Sequence, residues 1–309
     1  MVLLAALGTW LTPLWLVAVG AAIAAAALVA VYQLMRLVMP KVAAITLTTF
    51  KESISSPFFA VILFIGVCLL ILLPFIPYNT FGEDVKVLKD SGLTLIMVLA
   101  IILALWTSSI AIADEIEGRT ALTLLSKPIG RPQFIFGKFF GVIGPVACLF
   151  IVLGSLFLTT VSYKVVYDAR ETGQVEPTTA DCREEMVRIV PGLVLGFLEA
   201  VALAAVSVAI STRLPMLPNL IICASIYVLG HLAPLIVNSR VGQYGLVQFV
   251  GQLLATVLPV LDHFNIQAAV ATGTPVPAIY LFWTTVYCVL YSTVALLLAL
   301  ILFEDRDVA

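Results

Sequence analysis

The 309-residue sequence is 62% hydrophobic and 11% charged, with a mean hydropathy of +1.14 and a formal net charge of −2. A soluble domain carries roughly 45–50% apolar and about 25% charged residues, so this composition excludes an ordinary soluble protein. The small net charge gives no sign of a nucleic-acid partner. Repeated apolar runs of about twenty residues predict an all-α integral membrane protein, a polytopic bundle of six to seven transmembrane helices.

The first apolar run, residues 11–35, is too long for the core of a signal peptide, and no Lys or Arg precedes it. Arg36 and Lys41 follow it, which by the positive-inside tendency places its carboxyl end in the cytoplasm. We expect an added transmembrane helix within residues 1–40.

Residues 41–56 have a different pattern. Ala43, Leu47, Phe50 and Ile54 fall on one helical face, and most of the polar side chains lie off it. This amphipathic pattern indicates a helix in the cytoplasmic interface of the membrane, with a simple linker as the alternative.

Two apolar runs, residues 58–77 and 92–113, predict a span that leaves the cytoplasm and a span that returns to it. They are followed by the central loop, residues 114–138. Three acids open this loop, a short leucine-rich pattern follows, and Pro128 ends the pattern. Because a helix usually ends before a proline, we predict a short helix at the membrane surface, with an ordinary solvated loop as the alternative.

A series of residues in the central loop matches a known signature in order: Glu115, Glu117, Thr120, Leu124, Leu125, Ser126, Pro128, Ile129, Arg131, Gly137 and Lys138. The stretch resembles the signature of ABC-2 type transporter permeases, roughly E-x-E-x-G-T-L-x-x-L-L-S-x-P-I-x-R followed by G-K. It departs from the family at Arg119, which stands where the family has the glycine before threonine. The similarity extends loosely over residues 41–309, which the resemblance makes a permease domain.

The resemblance implies a membrane subunit of an ABC exporter, with an elbow helix over residues 41–56 and a coupling helix in the central loop. Two permeases, as a homodimer or a heterodimer, would pair with separate ATPase subunits in the lipid bilayer. The implied docking element comprises Glu115, Glu117, Thr120, Leu124, Leu125 and Pro128, and Arg131 and Lys138 would hold it against carboxylates or lipid headgroups.

ATP and Mg²⁺ would belong to the partner ATPase, because this sequence contains no G-x-x-x-x-G-K-[ST] phosphate-binding loop. The spacing of its Ser, Cys, His and acidic residues predicts neither a catalytic site nor a metal site. We therefore expect no enzyme activity and no cofactor in this chain itself.

The apolar run at residues 139–162 leads to the largest hydrophilic insert, residues 163–188, which predicts a small external cap or loop. Of the five cysteines, Cys182 alone has a polar sequence context, so we expect impermeant thiol reagents to reach it. No internal disulfide is predicted from the scattered cysteines.

Residues 190–210 and 220–237 predict an inward span and an outward span. The next apolar run, residues 246–261, is short for a span and predicts a re-entrant or interfacial segment on the outer side. A final span at residues 279–303 gives seven spans. We expect the N-terminus outside the cell membrane and the C-terminus in the cytoplasm.

Glu199 and His231 form a candidate intramembrane polar site. A charged side chain at the centre of a transmembrane helix costs roughly 2.5–3.5 kcal/mol on insertion scales, so such residues usually face the bundle interior or a water path. Glu199 is interpreted either as a substrate or ion contact or as a protonated acid bonded to a neighbouring helix. His231 is interpreted as a polar packing contact, with a ligand role as the alternative.

Three functions follow from these patterns, and they differ in what drives them. The first is an ATP-driven exporter permease that carries an unidentified substrate. The second is a secondary transporter driven by an ion gradient, with Glu199 as its proton or sodium site. The third is a membrane scaffold or assembly factor whose central loop binds a soluble partner without transport.

Overall fold

The structure is a computed structural model and describes residues 9–76, 83–114, 130–173, 175–237 and 245–304. Within these residues the regular secondary structure is entirely helical. The α-helices are, in chain order, α1 (Leu14–Val38), α2 (Pro40–Ser55), α3 (Pro57–Leu72), α4 (Asp84–Ser109), α5 (Arg131–Glu171), α6 (Thr179–Ser211), α7 (Met216–Val237), α8 (Gly245–Val257), α9 (Gln267–Thr272) and α10 (Ala278–Glu304). Short 3-10 helices lie at Leu73–Phe75 and Leu261–Phe264, and a π-helical turn, Ile110–Asp114, extends α4.

Six helical stretches among the described residues are long and apolar enough to cross a membrane: Thr9–Val38, Pro57–Phe75, Asp84–Ile112, Arg131–Glu171, Thr179–Ser211 and Ala278–Phe303. Helix α7 adds a shorter apolar stretch, Met216–Leu232. By length and composition the chain is therefore a multi-pass membrane protein, and the predicted all-α helical bundle is confirmed.

The bundle has two ends, and the helices run between them. At the loop end α4 finishes and α5 begins, and Phe134 of α5 stacks there on Phe303 of α10, with ring centroids 5.8 Å apart. At the insert end α5 finishes and α6 begins. The ring centroids of Phe75, which follows α3, and Tyr163 of α5 lie 6.0 Å apart there.

Helix α1 lies along α5 between the two ends. Before its first residue, the Trp10 carbonyl accepts a hydrogen bond from the Ser162 hydroxyl at 3.0 Å, at the insert end. Near its last residue, the Met35 sulfur lies 3.8 Å from the Thr46 hydroxyl of α2, at the loop end. The first residue of α1 and the last residue of α10 therefore lie at opposite ends of the bundle.

The core is built by α4, α5 and α6. In their most apolar windows 72%, 61% and 67% of the residues are buried, against 6% in α1, 28% in α3 and 33% in α10. Apolar side chains that no other helix covers suit a lipid environment, in which they need no further protein cover. Helices α1, α3 and α10 thus surround the core on its lipid side.

Helix α2 is seated directly on the first turns of α5. Glycines at 137, 141 and 144 lie four and three residues apart on one face of α5, and they admit the side chains of Ile45, Thr49 and Phe50. A Cβ atom added to these glycines would lie 2.7, 2.6 and 2.3 Å from atoms of those side chains. Small residues at a helix interface allow the two backbones to approach closely.

The packed face of α2 is wider than the face predicted from the sequence. The fully buried residues are Val42, Ala43, Thr46 and Thr49. Ala43 belongs to the predicted face, and the predicted residues Phe50 and Ile54 pack, partly exposed, against Gly144 and the core. Threonines occupy the rest of the packed face because the neighbouring surface is glycine backbone, and the Thr46 hydroxyl donates to the Gly137 carbonyl at 3.2 Å.

The hydrophilic insert is largely a continuation of two core helices. Helix α5 has 41 residues and ends at Glu171, and α6 begins at Thr179. At 1.5 Å per residue, α5 is about 60 Å long, roughly twice the thickness of a bilayer's hydrocarbon core. The N-terminus of α6 is capped, because the Thr178 hydroxyl accepts a hydrogen bond from the Asp181 backbone N–H at 3.3 Å.

Two buried lysines tie the core helices together at the insert end. Lys89 of α4 pairs with Glu185 of α6, and Lys164 of α5 pairs with Asp84 of α4 at 3.3 Å. The lysine side chains are only 3% and 2% exposed. Since a buried ammonium group requires a partner, these ion pairs fix how the three helices meet.

The expectation that Cys182 is exposed is wrong. Its side chain is fully buried, and its sulfur lies 4.0 Å from the Ser162 carbonyl of α5. The polar residues around it in the sequence lie on the other faces of α6, which a charge count cannot distinguish from a loop.

A cysteine at position 175 should react where the native Cys182 does not. Val175 lies in the connection between α5 and α6 and is 92% exposed. We expect Val175→Cys to react with a maleimide roughly a hundredfold faster than Cys182 or more, since a fully buried thiol reacts only after local opening. Peptide mapping of the labelled, folded protein in detergent measures both rates, and fast labelling of Cys182 in the unmutated chain would contradict the packing of α6 on α5.

Candidate functional site

Glu199 lies near the middle of α6 and is completely buried. Neither of its carboxylate oxygens has a hydrogen bond within the described part of the chain. A buried acid without such a bond is expensive, and in a membrane it marks a functional position by default. The structure therefore places this sequence-predicted residue in the bundle interior.

His231 of α7 faces Glu199 across the helix interface. Its Nε2 atom lies 3.4 Å from Glu199 Oε1, and its Nδ1 atom lies 3.1 Å from the Tyr227 carbonyl oxygen. The first distance is within ion-pair range but longer than the roughly 2.7–2.9 Å of a charge-assisted hydrogen bond. The sequence singled out both residues, but the structure is what brings them together.

The chain beside this pair turns back against α7 and α10. Helix α8 has 13 residues, about 20 Å, so it is too short to cross a hydrocarbon core of about 30 Å. At its end the Val257 carbonyl accepts a hydrogen bond from the Tyr291 hydroxyl at 3.3 Å, about halfway along α10. The Val260 backbone N–H then donates to the Tyr287 hydroxyl at 2.9 Å, one turn closer to the insert end.

The turn of this segment packs directly on α7. A Cβ atom added at Gly230 would lie 2.9 Å from the Pro259 carbonyl oxygen and 2.9 Å from Leu261 Cγ. Because Gly230 precedes His231, the position of the imidazole depends on this contact. The non-helical backbone at Pro259 is sheltered by protein, which is the condition for such backbone at membrane depth.

A second polar cluster lies at the loop end, next to the π-helical turn that begins the central loop. The Asn219 Nδ2 atom of α7 lies 2.7 Å from Ser109 Oγ and 2.8 Å from both Ser207 Oγ and Ser211 Oγ. The Ser108 and Ser207 hydroxyls are 2.5 Å apart. This fully buried polar network joins α4, α6 and α7.

Sequence reasoning missed this network, and Asn219 falls just outside the predicted spans at residues 190–210 and 220–237. The available signals were the serines at 207 and 211, four residues apart on one face of α6, and the serine pair that ends α4. Such short polar side chains also occur singly in transmembrane helices, so spacing alone does not identify a network.

The predicted coupling element lies mostly outside the described residues. These outside residues are Glu115, Glu117, Thr120, Leu124, Leu125 and Pro128. Arg131 is the first residue of α5 and is exposed at the loop end. Lys138 is buried, with its Nζ atom 5.7 Å from the centroid of the Phe134 ring, and its role beside carboxylates or lipid headgroups stays a prediction.

Three acids meet at the insert end. Carboxylate oxygens of Asp84, Asp168 and Glu171 lie within 4.8 Å of one another. Lys164 is paired with Asp84 in this group, so an ammonium group already supplies positive charge there. The acids fit the structural ion pairs of the insert end better than a metal centre.

Comparison with the models of known protein families gave no match, and comparison with curated proteins gave none either. The likeness to ABC-2 permeases therefore depends on the motif residues of the central loop themselves.

Proposed function

We propose that the protein is the membrane-spanning permease subunit of an ABC-2 type exporter, and that a separate ATPase subunit hydrolyses ATP. The observation that carries the proposal is the ordered series of motif residues between Glu115 and Arg131, which joins α4 to α5. Helices α4 and α5 are two of the three most buried helices among the described residues, so a force applied to the loop that joins them acts on the core of the bundle.

Three contacts at the loop end support mechanical coupling. Helix α2 is locked onto the glycine face of α5, Phe303 of α10 stacks on Phe134 of α5, and the Asn219 network ties the end of α4 to α6 and α7. A displacement of the central loop would therefore reach α2, α6, α7 and α10 through packed side chains. Coupling of this kind needs such a contiguous physical connection.

The proposal fixes the orientation and the partners. The loop end faces the cytoplasm, where two ATPase subunits with their ATP and Mg²⁺ would dock on two permease copies, identical or similar. Residues before α1 would then emerge outside the cell membrane. Acids at 115 and 117 would favour a helix N-terminus by about 0.3–1 kcal/mol each.

Aspartates in place of Leu124 and Leu125 should abolish ATPase binding without unfolding the bundle. Adjacent helical residues point about 100° apart, so one leucine would contact the partner and the other the membrane subunit. A charge in a buried apolar contact costs several kcal/mol, enough for a hundredfold or greater loss of affinity. Affinity purification in mild detergent, followed by nucleotide-hydrolysis assays of the purified fraction, measures the loss.

The matched control is Val175→Asp, which adds a charge to an exposed position at the opposite end of the bundle. It should retain ATPase association and ATP-driven export. Normal association and export by the Leu124→Asp, Leu125→Asp variant would contradict the proposed role of the loop.

A secondary transporter driven by an ion gradient is the second candidate, favoured by one observation. Glu199 lies buried within ion-pair distance of His231, beside a segment that turns back about halfway along α10. Ion-coupling sites of secondary transporters lie near the bilayer midplane, where helices are discontinuous. Transport by the purified protein in liposomes under an imposed gradient, without nucleotide, would favour this function over the first.

A further inference from the structure

We infer that Glu199 and His231 together form a binding site for one proton at the interface of α6 and α7. The site depends on neither proposed function, since it concerns an equilibrium property of the folded chain. Its basis is the 3.4 Å separation of His231 Nε2 from Glu199 Oε1, in a place where the acid has no contact with solvent.

The proton count follows from the second imidazole nitrogen. A carbonyl oxygen can only accept a hydrogen bond, so the 3.1 Å contact with the Tyr227 carbonyl places a proton on Nδ1. Nε2 then either accepts from a neutral Glu199 acid or, as part of an imidazolium, donates to the carboxylate. Both arrangements hold one proton between the two side chains.

Loss of that proton creates an unfavourable contact. The carboxylate would then face the Nε2 lone pair of a neutral imidazole, with no other hydrogen-bond donor to either of its oxygens among the described residues. An unpaired buried charge is costly, so the deprotonated site favours separation of α6 from α7 or entry of water. Proton occupancy is thereby coupled to the helix interface.

A proton fits this site better than a metal ion or sodium. Among the described residues, the one group of three or more acids, histidines or cysteines close enough to hold a metal ion is at the insert end. Sodium, a hard cation, prefers several oxygen ligands, whereas the near partner of Glu199 is an imidazole nitrogen. One acid and one imidazole provide only two ligand groups.

The other titratable groups near Glu199 and His231 are weak competitors for the shared proton. Helix α7 contributes Tyr227, whose ring centroid is 4.7 Å from that of His231. Helix α10 contributes Cys288, whose thiol donates to the Leu198 carbonyl at 3.3 Å, and Tyr287, whose hydroxyl accepts from Val260. Asp262 and His263, in the segment packed on α7, are exposed.

The charged groups of the two remaining core helices lie toward the ends of the bundle. Helices α4 and α5 approach α6 near the pair with Met97 and Phe150, at 3.9 and 3.6 Å from an added Gly196 Cβ. Their charged residues are Asp84, Lys86, Lys89 and Asp90 on α4, and Arg131, Lys138, Lys164, Asp168, Arg170 and Glu171 on α5.

The test is solid-state NMR of the full chain, labelled with ¹⁵N-histidine and reconstituted in phosphatidylcholine liposomes. The sequence has two histidines, so His263→Gln assigns both imidazole spectra. Because a glutamine side chain cannot exchange a proton with the imidazole, we expect the ¹⁵N resonance of His231 Nε2 to move in Glu199→Gln. The His263 resonances should stay unchanged, and Glu184→Gln, an exposed acid on the same helix, should leave both imidazole spectra unchanged.

The unmutated protein provides a second readout if Glu199→Gln does not fold. Its His231 spectrum should show a protonated Nδ1 throughout and an Nε2 that is protonated or hydrogen-bonded. A deprotonated Nδ1, or identical His231 spectra in the unmutated chain and Glu199→Gln, would overturn the site. A change in the His231 spectrum when N-methylglucamine replaces sodium at constant pH would overturn the assignment to a proton. Failure to bind an ATPase would leave all these readouts unaffected.

Discussion

Valine in place of Gly141 should detach α2 from α5 and strongly destabilise the loop end of the bundle. An added Cβ would lie 2.6 Å from Thr49 Cβ and 3.2 Å from the Thr46 carbonyl oxygen. Neither atom is at the flexible end of a side chain, so the whole helix has to move. Overpacking typically costs about 1–3 kcal/mol, and we expect the upper end of this range.

The matched control is Gly20→Val in α1. No heavy atom lies within 4 Å of a Cβ added at Gly20, so the same substitution should change stability by less than about 0.5 kcal/mol. The fraction of monodisperse protein that remains after heating in detergent compares the two variants. Equal loss of monodisperse protein in Gly141→Val and Gly20→Val would show that the glycine face of α5 does not determine the position of α2.

Leucine in place of Glu185 should loosen the insert end by leaving the Lys89 ammonium group buried without its partner. The lysine side chain is 3% exposed, and Glu185 is 26% exposed. Removal of one partner of a buried pair costs about 3–5 kcal/mol, and the partial exposure of Glu185 favours the lower end. Glu184→Leu, the exposed neighbour, should have little effect.

The double variant Glu185→Leu, Lys89→Met separates the two explanations for such a loss. If the penalty arises from an uncompensated buried charge, removal of the ammonium group should recover most of the stability. Unfolding followed by circular dichroism in mixed micelles measures all the variants. A double variant as unstable as Glu185→Leu alone would indicate that lost packing, rather than lost charge, is responsible.

The sequence predicted the helices of this fold well, because each apolar run carries its own signal. The sequence also identified Glu199 as a candidate site residue, because an acid within an apolar run is easily recognised. It could not pair Glu199 with His231, because the contact depends on how α6 and α7 pack over residues far apart in the chain. Such non-local packing leaves no periodic pattern in a single sequence.

The errors have a common physical origin. The threonine part of the packed face of α2 was missed because Gly137 and Gly141 allow backbone contact, and a hydrophobicity count favours large apolar side chains over threonine. Cys182 was judged exposed because its neighbours are charged, although α5 and α6 continue as a packed helix pair beyond the apolar runs. In both cases the neighbouring helix, rather than local composition, decides burial.

Helix α1 determines whether the chain passes between the two ends of the bundle an odd or an even number of times. With α1 in place, seven described helices run between the two ends, namely α1, α3, α4, α5, α6, α7 and α10, so the start of α1 and the end of α10 lie at opposite ends of the bundle. A tandem gene duplication that joined two copies through a short linker would then place the second copy upside down. Deletion of α1 from the second copy would restore its orientation, so a single-chain dimer would carry α1 only in its first half.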